Sequence, residues 1–192
     1  MSAVAAPYGL RPLRRSNGAP FVGALKEYPI ASGTAAMFRG SPVRLNAGLL
    51  VPVTGNDLGA GTNDAYIGVL NGVRYTDATG NVIYNDYFPN AAVATNAVGF
   101  VYDDPNIVYA VQASTASQDV DAAVATAFLL ANAAAGSTAT GQSTAALNIA
   151  GGADVGHPFR IMGRVRTPDN PNASGFVDVE VRINTGFHIN ER

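Results

Sequence analysis

The stretch F-V-D-V-E-V-R-I-N (176–184) alternates with a period of two. Phe176, Val177, Val179, Val181 and Ile183 supply its apolar set, and Asp178, Glu180 and Arg182 face the other way. A helix cannot sort those side chains into two faces; a strand with one face buried can. The same short, strand-sized pattern recurs along the chain between turn residues. F-V-G-A-L-K-E-Y-P-I (21–30) is strand-like. A-M-F-R-G-S-P-V-R-L (36–45) reads as strand, turn, strand, and G-L-L-V-P-V-T (48–54) as a strand at an edge or bend because of Pro52. Y-I-G-V-L-N-G-V-R-Y-T (66–76) is a strand interrupted at Asn71-Gly72. Tyr75 and Thr76 face Val82, Ile83 and Tyr84 across the turn Asp77–Gly80, the best hairpin signal in the chain. Strands at 97–102, 106–113 and 159–167 complete the set, with Asp103-Asp104-Pro105 and 168–175 as turns. Many short strands at this spacing predict a mainly β fold, an antiparallel barrel or sandwich, with residues 21–192 forming a single β-rich domain.

Two segments stand apart from that pattern. One is a short helix expected near 118–133. Ser117 suits an N-cap, Asp119 and Asp121 fall in the first turn, and Val120, Val124, Ala127, Phe128 and Ala131 recur on one helical face. A strand over 126–131 competes with it. Residues 132–156 are rich in Ala, Gly, Ser and Thr and read as a neutral loop, with room for a short strand at 146–150.

The other is A-A-P-Y-G-L-R-P-L-R-R-S-N-G-A-P (5–20). Its three prolines and two glycines suit neither a helix nor a central strand, so residues 1–20 are expected to form an extended N-terminal arm. Such an arm can add a strand to a partner's sheet edge, and its prolines lower the entropy lost on docking. Tyr8, Leu10 and Leu13 would be apolar anchors, and Arg11, Arg14 and Arg15 would pair with acids on the partner.

Charge supports association. Only 14% of residues are charged, against about a quarter in ordinary soluble proteins, so neutral surface is available for covering. Residues 1–44 carry six basic groups against Glu27, a net of +5; residues 45–159 carry Arg74 against nine aspartates, a net of −8. Eleven of the twelve basic residues are arginine, which interfaces favour over lysine. A nucleic-acid role fits poorly, because the whole chain is acidic and Tyr8 alone accompanies the arginines of the head.

The chemistry-bearing residues are sparse. With no cysteine there is no disulfide, thiol nucleophile or sulfur-ligated zinc, and two histidines, His157 and His188, cannot make a three-histidine metal site. Asp103-Asp104 could act as paired carboxylates, but in a D-D-P turn such side chains more often cap the backbone. Asn56, Asp57, Asn63 and Asp64 lie among glycines in the 55–64 loop, yet their spacing matches no calcium motif. No nucleophile elbow, phosphate loop or dinucleotide fingerprint occurs. The expectation is a binding protein, not an enzyme, with no cofactor and no metal. No apolar run is long enough to span a membrane, and the N-terminus lacks the apolar core of a signal peptide.

The motifs A-A-P-Y-G-L-R-P (5–12), P-I-A-S-G-T-A-A-M-F-R-G-S-P-V (29–43), I-G-V-L-N-G-V-R-Y-T-D-A-T-G (67–80) and V-Y-D-D-P-N-I-V-Y-A-V-Q-A (101–113) carry a resemblance. So do S-T-A-T-G-Q-S-T-A-A-L (137–147) and I-M-G-R-V-R-T-P-D-N-P (161–171), which precede the strand ending in R-I-N (182–184). Together, in this order, they resemble the head or capsid decoration (cement) proteins of tailed bacteriophages. The resemblance implies a β-rich virion structural protein without catalytic activity. It would sit on the exterior of an icosahedral head, bind the major capsid protein and stabilise adjacent subunits. It further implies a homo-oligomer, a trimer above all, found in the virion and, during assembly, in the host cytoplasm. The alternative is another virion component, a tail, fibre or head–tail protein with a structural or receptor-binding role. A glycan-binding β-sandwich is a third reading, and it expects an exposed cluster of aromatic side chains.

Overall fold

The computed structural model describes residues 4–54, 66–90, 94–184 and 186–189. The 55–64 loop therefore lies outside the described residues. Fourteen strands are found among them. They are β1 (Arg11–Arg15), β2 (Lys26–Pro29), β3 (Met37–Phe38), β4 (Pro42–Asn46), β5 (Leu49–Pro52), β6 (Tyr66–Thr76) and β7 (Val82–Asn85). The rest are β8 (Tyr87–Phe88), β9 (Thr95–Tyr102), β10 (Ile107–Gln112), β11 (Ala127–Ala131), β12 (Ala146–Asn148), β13 (Phe159–Arg164) and β14 (Asp178–Ile183). Their pairings are antiparallel. The first sheet runs β1-β10-β14-β13-β11-β12 and the second β2-β9-β6-β4-β5, with β7 also on β6; β3 and β8 form a small ribbon. Mainly β and antiparallel is correct; a barrel is not, because both sheets are open and end on β1, β12, β2 and β5.

The alternating strand behaves as its pattern requires. Val179, Val181 and Ile183 of β14 are buried, and Asp178, Glu180 and Arg182 are partly exposed. They join Leu10, Ile107, Tyr109, Val111, Phe128, Phe159 and Ile161 in one apolar cluster. A second cluster holds Ile30, Met37, Val43, Leu50, Ile67, Leu70, Val73, Phe88 and Val101. Strand β6 serves both: Tyr66 and Val69 belong to the first cluster, Ile67, Leu70 and Val73 to the second.

Strict alternation would put Leu70 and Val73 on opposite faces. The β6–β9 register shifts between Leu70 and Gly72, so Asn71 is an extra residue and both apolar side chains reach the same core. The Asn71-Gly72 interruption in the sequence is this bulge. Close by, a Cβ on Gly68 would lie 1.9 Å from the Tyr102 carbonyl oxygen, so only glycine lets β6 approach β9 there. The hairpin forms as expected, with Thr76 opposite Val82, Tyr75 opposite Ile83 and Arg74 opposite Tyr84. Asp77 Oδ1 accepts the backbone N–H groups of Thr79 and Asn81 and holds the turn.

The short helix is corrected: no helix occurs among the described residues. Residues 120–125 form turns, and Ala127–Ala131 is a strand between β12 and β13. Phe128 and Leu130 are buried with a period of two, Phe128 standing opposite Phe159. Pairing on both sides outweighs the helical spacing of a short apolar run. Ser117 adopts φ 60°, and Asp119 caps a turn by accepting from Ala122 N and Asn172 Nδ2. The neutral stretch 132–156 does contain its short strand, β12, and Ser143, Ala145 and Leu147 within it are fully buried.

The N-terminal segment is extended but does not stand apart as an arm. From residue 4 onward it lies on the chain's own first sheet. Ala6 N donates to Gln112 Oε1 at 2.8 Å, and β1 pairs with β10, Arg11 opposite Ala110 and Arg15 opposite Ile107. Its prolines are tolerated because β1 is an edge strand.

Candidate interaction surface

Each residue expected to anchor the arm can now be placed. Leu10 is 1% exposed and sits in the first core. Gly9 brings it there: φ is +74°, and a Cβ on Gly9 would come within 2.8 Å of the Gly40 carbonyl oxygen. Leu10 N then donates to that same oxygen at 2.9 Å. Tyr8 Oη donates to Asp178 Oδ1 at 3.0 Å. Burial and the neighbouring Asp178 raise the Tyr8 pKa, so its phenol stays a neutral donor. Arg14 pairs with Glu180 at 2.6 Å and Arg15 with Asp104 at 2.7 Å. Leu13 is 41% exposed. Arg11 lies over the Tyr8 ring and donates to Gln142, so five of the six residues are engaged by the chain itself and Leu13 is the outward apolar one.

Asp103 and Asp104 are likewise structural in their contacts. Asp104 Oδ1 accepts Asn106 N at 2.9 Å in the turn, and Asp103 Oδ2 accepts Tyr28 Oη at 2.9 Å. His188 is buried and bridges to Tyr66 through the backbone, and the carbonyl of His157 accepts from Asn184 Nδ2. Among the described residues no group of three or more metal-binding side chains is brought together. Nor is any helix there long and apolar enough to cross a membrane.

The surface that does converge lies on the second sheet. Tyr102 stands opposite Val69 and packs on the first core, while Phe100 stands opposite Gly72 on the same face of β9. The face that covers the first sheet at one end therefore runs out into solvent at the other. There Tyr84 is 72% exposed and lies parallel to Phe100, ring centroids 6.4 Å apart and planes 10° from parallel. Gly72 and Asn71 contribute to the shallow depression that the two rings share. Val82, also exposed, extends the apolar area along β7.

Between this aromatic face and the N-terminal segment opens a pocket of about 440 Å³. Tyr8, Arg11, Arg39, Asn71, Tyr102 and Gln142 line it. The Arg11 guanidinium lies 4.3 Å from the centre of the Tyr8 ring and donates to Gln142 Oε1 at 3.1 Å. Arg39 reaches Asp86 Oδ1 at 3.5 Å across the rim. Tyr102 Oη donates to Asn71 Oδ1 at 2.8 Å; burial raises the Tyr102 pKa, and the charge of Arg39 acts against that rise. The sequence offered no sign of this pocket, since its residues come from five separate stretches. Tyr84 was visible only as a strand residue; its place on β7, which nothing covers among the described residues, is what exposes it.

Comparison of the chain with protein-family models, with curated proteins and with solved structures finds no match in any of the three.

Proposed function

We propose that this chain is a non-enzymatic decoration protein of a bacteriophage head, which binds the outside of the shell and holds adjacent capsid subunits together. The reading rests on the ordered motifs that resemble the cement family. The observation that carries it in the structure is the exposed Tyr84–Phe100 face beside the arginine-lined pocket. Tyr, Phe and Arg are the residues that protein interfaces favour, and they are gathered here on an open-sheet scaffold of low charge. The first core reaches into the N-terminal segment, so the body is tied from residue 4 onward and offers a preformed surface. Self-association into a trimer or other ring belongs to the same proposal.

Heating purified heads with and without the bound chain tests it. A cement role raises the temperature at which the heads release DNA or collapse, and equal temperatures would refute it. The exposed aromatic pair also favours a second reading, in which another virion part presents Tyr84 and Phe100 to a receptor sugar. Copy number separates the two: a cement approaches the number of capsid subunits, whereas a tail-tip protein is present in a few copies per particle.

A further inference from the structure

The pocket beside the N-terminal segment has an unusual balance of hydrogen-bonding groups. Its side-chain acceptors are already used. Gln142 Oε1 accepts from Arg11, and Asn71 Oδ1 accepts from Tyr102 Oη. Tyr102 has thereby spent its own proton inward, and Tyr8 has spent its proton on Asp178. Besides the two phenol oxygens, what remains to face a ligand are donors: the rest of the Arg11 guanidinium, Arg39, and the amide NH2 groups of Asn71 and Gln142.

The two arginines keep donors to spare. Arg11 meets the Tyr8 ring and Gln142, and the Asp178 carboxylate behind Tyr8 acts on it through charge. Arg39 is matched in part by Asp86. Each guanidinium carries more N–H donors than these contacts use, so both keep donors at the mouth. We propose that this pocket is an oxyanion site that takes a single carboxylate, held by Arg11 and Arg39 and oriented by the amides of Asn71 and Gln142. A planar carboxylate matches the arginine fork, which can hold both of its oxygens. The volume admits an organic body behind the carboxylate. The carboxylate can belong to a small organic acid or to an acidic side chain of a docked protein. The site stands on its own geometry and does not depend on the virion reading.

The Arg11 side chain is fixed before any ligand arrives. The Tyr8 ring supports one face of it, and Tyr8 is itself anchored to β14 through Asp178. That preorganisation reduces the ordering cost of binding. Tyr8 is a positioning residue in this account, and Arg11 and Arg39 are the ligand contacts.

The test is a titration of the isotope-labelled full chain, followed by amide chemical shifts at constant ionic strength. Probes are acetate, succinate, inorganic phosphate, chloride and a blocked Gly-Glu-Gly peptide. The site predicts saturable shifts at Gly40, Asn71, Tyr102 and Gln142 with acetate, succinate and the peptide. Arg11→Gln and Arg39→Gln should each weaken binding about tenfold or more, as expected for loss of a charge-assisted bond. Both positions are at the surface, and unchanged spectra away from the pocket verify folding. Tighter binding of the peptide than of the organic acids assigns the carboxylate to a docked protein; the reverse assigns it to a small molecule. Shifts that never saturate, that chloride reproduces, or that survive both substitutions would overturn the proposal, as would phosphate binding more tightly than any carboxylate.

Discussion

The N-terminal segment, which leads through Tyr8 and Leu10 into β1, and the β7–β9 face both carry aromatic and apolar side chains and use them in opposite directions. On β1, Arg14 and Arg15 turn to acids of the chain itself, Glu180 and Asp104, and the preceding Leu10 fills the first core. On the β7–β9 face Tyr84 stands in solvent, with Phe100 as its neighbour. Arginine and aromatic content alone therefore does not identify a docking element. What separates the two regions is whether a strand of the same chain lies within reach to satisfy them. Strand β10 lies beside β1, whereas Tyr84 on β7 stays 72% exposed with its ring beside that of Phe100.

The sharpest way to break this contrast is to remove what β1 contributes to folding. Leu10→Ala should cost about 2–5 kcal/mol, because the side chain is fully buried. At roughly 2–4 °C per kcal/mol for a chain of this size, calorimetry reads the loss directly. Deleting residues 2–20 should cost more still, since it strips β10 of one of its two partner strands. A deletion that melted like the full chain would mean that the segment is an accessory after all. Leu13→Ala, three residues on, should change stability by no more than about 0.5 kcal/mol.

The next effect is smaller. The Arg14–Glu180 pair is partly exposed, so a double-mutant cycle in denaturant should give a coupling of about 1 kcal/mol or less, shrinking as salt is added. A coupling well above that would make the ion pair, more than Leu10, the lock on β1. On the opposite region, Tyr84→Ala should leave the midpoint of unfolding within about 0.5 kcal/mol of wild type, as an exposed side chain does. A large loss there would show the aromatic pair to be structural.

The smallest effect concerns Asp178, which receives the Tyr8 hydroxyl. Burial raises its carboxyl pKa, and the Tyr8 bond opposes that rise. A carboxyl with a raised folded pKa favours the folded state below its unfolded value, about 3.9, and that contribution is lost as pH rises through the folded value. Asp178→Asn keeps an acceptor for Tyr8 and removes the titration. The variant should therefore gain stability relative to wild type as pH climbs from about 4 toward neutrality. A constant difference across that range would exclude the coupling.

Local patterns in the sequence were legible where one strand's two faces differ. The alternation of 176–184 became β14, and the Asp77–Gly80 turn became the β6–β7 hairpin at the expected register. Even the Asn71-Gly72 break had a counterpart in the β6 bulge. The helix near 118–133 failed because a five-residue apolar run carries too little periodicity to decide, and pairing with β12 and β13 decided it instead. The N-terminal segment is the more instructive case. Prolines, glycines and arginines describe an edge strand as well as a free arm, and only the burial of Leu10 distinguishes them. The pocket and the exposed rings depend on distant segments meeting, which no local pattern encodes.

The most direct test of the proposed head-decoration role is binding of the labelled full chain to purified empty heads of a phage whose genome carries its coding sequence. Tyr84→Ala and Arg39→Ala would be compared with Leu13→Ala and wild type. The account predicts saturable decoration by wild type and Leu13→Ala, and affinity lower by about tenfold or more for Tyr84→Ala and Arg39→Ala, as for interface hot spots. Failure of wild type to bind, or equal binding by all four chains, would contradict it.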